Sequence, residues 1–265
     1  MTRIESKFAR LQAEGRKGFI PYITAGDPSL DVTLELVLAL DKSGVDVIEL
    51  GMPFSDPIAD GPVIQRATER ALSNHVTLRK VLHLCEKIRK QSDVPLILFS
   101  YFNPLLNYGL EELARDAAKA GFDGVLASDL TVEESDTFVR TMRNAGLNTI
   151  FLVAPTSSPQ RMKKIGEASN GFLYAVSRTG VTGEQQELAG ELKQFLQTLR
   201  SHATSPIAVG FGISRPEHVR AVWQEADAAI VGSSIVREIE QHIGKPDLVQ
   251  RVAAFTGWLK GCPSQ

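Results

Sequence analysis

Cysteine is nearly absent from these 265 residues: Cys85 and Cys262 are too few for a disulfide scaffold and too isolated for a zinc site, which needs about four ligands. A reducing compartment, the cytoplasm, is the simplest setting. No apolar run approaches the roughly 18 residues of a membrane span, and the opening Met1-Thr2-Arg3-Ile4-Glu5-Ser6-Lys7 is charged, so a soluble, unprocessed chain is expected. Neither sign of charge is in excess. Lys and Arg number 29 against 31 Asp and Glu, and the formal net charge of -2 offers no field for a polyphosphate backbone. Nucleic acid is therefore not an expected partner, and the densest basic cluster, Lys87-Ile88-Arg89-Lys90, reads as one polar helix face.

Several catalytic signatures are missing too. There is no G-x-S-x-G elbow, Walker loop or H-E-x-x-H, and His75, His83, His202, His218 and His242 never fall at ligand spacing within one segment. Each histidine reads as a surface or helix-face residue, and no metal site is expected. The predicted strands hold no Lys, whereas a Schiff-base barrel enzyme presents one from a strand end.

What is present is alternation. Short apolar runs at 18–23, 46–50, 95–100, 124–127, 149–153, 171–175, 206–209 and 228–231 read as buried strands. Between them lie segments of helical spacing, such as Leu78, Val81, Leu82, Cys85 and Ile88, or Leu188, Leu192, Phe195, Leu196 and Leu199. Eight alternations in a chain near the usual length of about 250 residues predict a closed (β/α)8 barrel. No linker or composition shift divides the chain, so residues 1–265 are expected to form one domain. An open doubly wound sheet is the competing architecture, but the nearest nucleotide fingerprint, Gly210-Phe211-Gly212-Ile213-Ser214-Arg215, lacks its third glycine. A weak repeat, Ser43-Gly44-Val45-Asp46, Ala120-Gly121-Phe122-Asp123, Ala145-Gly146-Leu147-Asn148 and a worn Glu225-Ala226-Asp227, marks helix-to-strand joints. Each reads as a helix ended by a left-handed glycine, then an acid or amide opening the strand on the barrel's bottom face.

The acids stand at the other face. In Asp46-Val47-Ile48-Glu49-Leu50-Gly51 strand alternation puts Glu49 on the side of Val47. If that side is the interior, burial raises the carboxyl pKa toward neutrality and suits it to give and take protons; the alternative is a rim salt bridge. Next comes Met52-Pro53-Phe54-Ser55-Asp56-Pro57-Ile58-Ala59-Asp60-Gly61-Pro62, whose three prolines make a stiff loop able to hold an acid in position. Asp60 is either such an acid or a cap for the helix opening at Pro62. Three glycine joints follow the last strands: Ser177-Arg178-Thr179-Gly180-Val181-Thr182-Gly183, Gly210-Phe211-Gly212-Ile213-Ser214 and Gly232-Ser233-Ser234. Backbone N–H groups there could cradle a phosphate, with Ser233 adding a hydroxyl, although glycine also ends strands for steric reasons.

These stretches, with Pro21-Tyr22-Ile23-Thr24-Ala25-Gly26-Asp27-Pro28, resemble the tryptophan synthase alpha chain family over essentially the whole length. The resemblance implies retro-aldol cleavage of indole-3-glycerol phosphate to indole and glyceraldehyde 3-phosphate, late in tryptophan biosynthesis. It implies Glu49 as acid and base, Asp60 as the partner of the indole N–H, and Tyr174 beside the reacting glycerol. Gly183, Gly212, Gly232 and Ser233 match the phosphate cradle, and Tyr22, Phe99, Tyr101, Leu126 and Leu152 match the indole pocket. Thr182 matches a loop position that closes toward Asp60. The resemblance further implies an alpha2-beta2 tetramer, with Asp56, Pro57, Asn103 and Asp129 at the beta-chain interface and pyridoxal phosphate in the beta chain, none in this one. After strand four the chain departs from the family's usual Asp-Leu-Pro step. Thr131 stands where Pro is usual and Ser128 where Ala is usual, which predicts a looser loop. That departure motivates a regulatory subunit with weakened chemistry as an alternative; a third, another phosphate-binding barrel such as a sugar-phosphate isomerase, is opposed by the stiff acidic loop after strand two.

Overall fold

The computed structural model describes residues 1–176, 185–210 and 212–261, with the backbone alone over 185–189 and at Glu191. Nine strands are present among them: β1 (Gly18–Thr24), β2 (Ile48–Gly51), β3 (Leu96–Ser100), β4 (Gly124–Ala127), β5 (Asn148–Ile150), β6 (Leu152–Val153), β7 (Leu173–Val176), β8 (Ile207–Gly210) and β9 (Ala228–Val231). The helices are α1 (Arg3–Ala13), α2 (Leu30–Lys42), α3 (Pro62–Ser73), α4 (Leu78–Arg89), α5 (Phe102–Tyr108) and α6 (Leu110–Ala120). They continue with α7 (Asp136–Asn144), α8 (Pro159–Ala168), α9 (Gln185–His202), α10 (Pro216–Glu225), α11 (Ser233–His242) and α12 (Leu248–Leu259). None of them is long and apolar enough to cross a membrane.

All strand pairs are parallel, in the order β5-β4-β3-β2-β1-β9-β8-β7-β6. The two ends of that order, β5 and β6, are separated in the chain only by Phe151, so the ladder closes on itself as eight staves. The run 149–153 is thus one stave in two pieces. Its first piece pairs with β4 and its second with β7, while the Phe151 carbonyl accepts from the Tyr174 N–H at 3.2 Å across the break. Closure rules out the open sheet, and the fold is the (β/α)8 barrel the alternation predicts.

Inside the barrel Ile20, Val47, Ile97, Leu126, Ile150 and Ile230 pack together, and α1 plugs the bottom with Ile4, Phe8 and Leu11. A larger apolar layer lies between strands and outer helices, into which α4 sends Val81, Leu82, Cys85 and Ile88 as their spacing requires.

The joints behave as the repeat predicts, with one difference. Gly44, Gly121 and Gly146 have φ of +72°, +99° and +79°, which β-carbon-bearing residues rarely adopt. The acid after the glycine, however, serves the neighbouring strand. Asp46 accepts from the Phe19 N–H, Asp123 from the Leu96 N–H and Asp227 from the Ile207 N–H, each at 2.9 Å. Parallel strands leave these first N–H groups without a ladder partner at the sheet's lower edge, and a carboxylate one stave over supplies it. Asn148 instead ties down α1, accepting from the Thr2 hydroxyl and donating to Glu5.

The cluster 87–90 is not a polar face. Ile88 is buried, and Arg89 turns inward to donate to the Gly121 carbonyl at 2.7 Å and to Asp123 at 2.8 Å. Asp123 also takes the Arg3 guanidinium at 3.1 Å. Removing its carboxylate takes the counter-charge from half-buried Arg89, which keeps only carbonyl partners, and leaves the Leu96 N–H without its acceptor, so Asp123→Ala is expected to cost about 3 kcal/mol in urea unfolding. A loss below about 0.5 kcal/mol would mean that these joints are not what anchors the strands.

Candidate active site

Glu49 is the second residue of β2, in register with Tyr22 of β1 and Ile97 of β3. Alternation from Val47, which belongs to the interior cluster, turns its side chain into the barrel at the upper end. The residue is 0% exposed, and among the described residues neither carboxyl oxygen has a hydrogen-bond partner. A rim salt bridge is thereby excluded. Burial pushes the carboxyl up from 4.5 to about 8, so it carries its proton at neutral pH.

Two tyrosines, Tyr22 and Tyr174, lie near it. Burial holds the phenols of Tyr22 and Tyr174 above their ordinary value, with the charges of Asp60 and Glu49 adding to the effect. Both stay neutral donors. Their rings need glycine beside them: a Cβ on Gly51 would stand 2.1 Å from the Tyr22 hydroxyl, and one on Gly210 2.4 Å from the Tyr174 ring. These two seats become legible only once the register is known, because each glycine lies one stave from its tyrosine.

Asp60 closes the acidic loop above β2. It does not cap α3, whose N-cap is Gly61 without a side-chain cap bond. The Tyr101 hydroxyl hydrogen-bonds its carboxylate and accepts from the Ala59 N–H at 2.9 Å. Burial raises the Asp60 carboxyl above its usual value, and that hydrogen bond opposes the rise. Tyr101, itself pushed to about 12 chiefly by burial, packs on Phe54 at 5.2 Å between centroids.

The expected pocket walls come together. Phe99 meets Tyr22 edge-on at 5.3 Å, while Leu126, Leu152 and Tyr174 lie on or against the interior cluster. Val63, Ala67 and Ile64 of α3 complete a wall with Tyr22 and Val236, a contribution the sequence reading missed although their helical spacing carries it.

Gly212 and Gly232 stand on the neighbouring β8 and β9 loops, and Ser233 opens α11 behind Gly232. The Ser234 hydroxyl donates to the Ile213 carbonyl at 2.7 Å and joins the two loops. The helix N-terminus and the backbone of two glycines therefore face one region, a setting suited to an anion. Thr182 and Gly183 lie outside the described residues, as does the rest of the joint 177–183.

Asp56, Pro57, Asn103 and Asp129 lie on the loops or helices following β2, β3 and β4, three adjacent staves. Asp56, Asn103 and Asp129 are exposed and Pro57 half-buried, beside the exposed apolar side chains Ile58 and Leu106. Asp129 also accepts from the Phe102 N–H at 2.6 Å, anchoring the start of α5. The Ser128 hydroxyl is buried without a partner among the described residues, and Thr131 opens a single 3-10 turn over Val132–Glu134. Among the described residues no group of three or more His, Cys, Asp or Glu could hold a metal ion.

Comparison with known proteins agrees with this geometry. The profile of the family described as "Tryptophan synthase alpha chain" matches residues 8–261. A tryptophan synthase alpha chain of Solibacter usitatus is 51% identical over 260 residues, 98% of this chain and 97% of that one. The crystal structure of tryptophan synthase subunit alpha from Legionella pneumophila superposes with a TM-score of 0.91 at 40% identity, over 98% of this chain and 97% of that one. A chain from the tryptophan synthase a2b2 complex of Pyrococcus furiosus gives a TM-score of 0.86 at 36% identity, over 92% and 98% of the two chains.

The burial of Glu49 has a signature in stability. Its folded pKa of about 8 exceeds the ordinary 4.5, so the folded chain binds the extra proton. That stability is fully present below about 4.5 and is lost as pH rises through about 8. Urea midpoints of the unaltered chain should therefore fall between pH 5 and 8 relative to those of Glu49→Gln; parallel profiles would show an ordinary, solvated carboxyl.

Proposed function

We propose, because the chain belongs to the tryptophan synthase alpha chain family of indole-3-glycerol phosphate lyases, that Glu49 moves both protons of the retro-aldol cleavage. The observation that carries this reading is the buried, unpartnered and neutral Glu49 carboxyl.

In its protonated form Glu49 gives a proton to C3 of the indole ring. Positive charge then develops toward the ring nitrogen, where the Asp60 carboxylate accepts the N–H bond and stabilises that charge in a water-poor site. The Glu49 carboxylate left by the first transfer takes the proton of the glycerol hydroxyl next to C3. As that oxygen becomes a carbonyl, the carbon–carbon bond breaks and its electron pair returns to the ring. Indole and glyceraldehyde 3-phosphate leave, and Glu49 is again protonated. Tyr174 lies beside the reacting glycerol in this reading, and the indole lies among Tyr22, Phe99, Tyr101, Leu126 and Leu152. The phosphate is held by the backbone at Gly183, Gly212 and Gly232 and by Ser233. Held at both ends, the substrate keeps its reacting carbon beside Glu49.

The same reading extends to the assembly. Residues 1–265 make one barrel domain, working in the cytoplasm within an alpha2-beta2 tetramer. Asp56, Pro57, Asn103 and Asp129 face the beta chain, which carries the pyridoxal phosphate and receives the indole. Closure of Thr182 toward Asp60 would exclude water during the reaction. The grouping of the four interface residues on three adjacent staves, beside exposed Ile58 and Leu106, supports this assignment.

Glu49→Gln is expected to slow indole release from indole-3-glycerol phosphate by about 10³-fold or more while glycerol phosphate still binds. Asp60→Asn should cost about 10²-fold. Because the first step needs a protonated Glu49, kcat/KM should decline as pH rises through about 8. Near-normal turnover by Glu49→Gln, with or without the beta chain, would overturn the reading.

A further inference from the structure

Helix α3 is gripped at both ends. In its first turn the Gln65 amide donates to the Asp60 carbonyl at 2.9 Å, while the Asp60 N–H donates to the Pro57 carbonyl at 3.1 Å, so the acidic loop is laced to the helix. Further along, Arg70 uses three donors on two partners. Its Nε and Nη2 reach both carboxylate oxygens of Asp27 at 2.7 and 2.9 Å, and its Nη1 reaches Glu240 at 2.7 Å. Arg66 takes the same Glu240 with two bonds of 2.7 Å.

The partners belong to different parts of the site. Asp27 is buried in the loop after β1, the strand that carries Tyr22. Glu240 sits on α11, the helix whose N-terminus carries Ser233 beside Gly232. Between the grips, Val63 and Ala67 pack on Tyr22 and Val236. The bridge is electrostatically strong at Glu240, whose carboxyl is held down to about 2 by hydrogen bonds from Arg66 and then Arg70. At Asp27 burial disfavours the charge, and Arg70 opposes that effect. A lysine could not reproduce this geometry, because a point ammonium lacks the planar fork that serves one carboxylate with two bonds and a second carboxylate with a third.

We infer that Arg70 is a positioning residue for the cleavage: by tying α3 to Asp27 and to Glu240 of α11, it sets where Asp60 stands relative to the phosphate end. This rests on the proposed roles of Asp60 and of the α11 N-terminus. The path runs from Ser233 along α11 to Glu240, through Arg70 to α3, and through Gln65 to the Asp60 backbone. A substrate whose phosphate is seated on α11 then meets an acidic loop already in register with its indole end. Misplacing such a loop by about 1 Å costs rate more than binding, because Asp60 acts on charge that develops only in the transition state.

The test is indole release by the full chain carrying Arg70→Lys, Glu240→Gln, Asp60→Asn and their combinations. Arg70→Lys should lower kcat by about 10-fold while KM and the affinity for glycerol phosphate change less than about 2-fold. Glu240→Gln, which leaves the Arg70 to Asp27 pair intact, should lower kcat by about 3-fold, and it carries the test alone if Arg70→Lys does not fold. In the Asp60→Asn background either change should cost no more than about 2-fold, since the group being positioned is gone. Full multiplication of the effects, or a rise in KM with kcat unchanged, would overturn the inference while leaving the role of Asp60 intact. Normal turnover by Asp60→Asn would overturn that role first, and this inference with it.

Discussion

Burying an ionised carboxylate without a partner costs far more than burying the same group protonated, and the upper end of this barrel is arranged around that difference. Among the described residues Glu49 has no donor and no cation, and it has no exposure, so it is neutral where a solvated glutamate would be charged. Everything near it preserves that condition. Tyr22 and Tyr174 fill the space with neutral phenols, and Gly51 and Gly210 leave room for their rings. On the loop that follows β2, Asp60 keeps a hydrogen bond from Tyr101 and partial contact with solvent. Burial raises both carboxyls above their ordinary values, but the hydrogen bond from Tyr101 opposes the rise at Asp60, whereas no described group opposes it at Glu49.

The two faces of the barrel divide the work. At the bottom, carboxylates are fully used: Asp46, Asp123 and Asp227 accept from strand N–H groups and form ion pairs with Lys, Arg or both. These charges satisfy the backbone and have little left for chemistry. At the top, the oxygens of Glu49 have no hydrogen-bond partner among the described residues. Helix α3 links the acidic loop to α11 through Gln65, Arg66 and Arg70, so the upper face is tied together by its outer helices.

Much of this was legible in the sequence because it rests on local pattern. Apolar runs, helical spacing and the glycine-acid joints give eight staves and their order, and alternation from Val47 turns Glu49 inward. What was not legible depends on neighbours distant in the chain. The break at Phe151 arises where one stave changes partners, and Arg89 looks like a surface cation until Gly121 and Asp123 meet it. Asp60 reads equally as a helix cap until Tyr101 reaches it from the next stave. Arg66 and Arg70 have the spacing of any solvated helix face, and only the approach of Asp27 and α11 makes them a bridge.

The most direct test of the account is the ionisation of Glu49 itself, followed by the carboxyl infrared band that disappears in Glu49→Gln. The account predicts a protonated band at pH 6 that titrates with a midpoint near 8. A Glu49 already ionised at pH 6 would contradict it, because the group could then not supply the first proton.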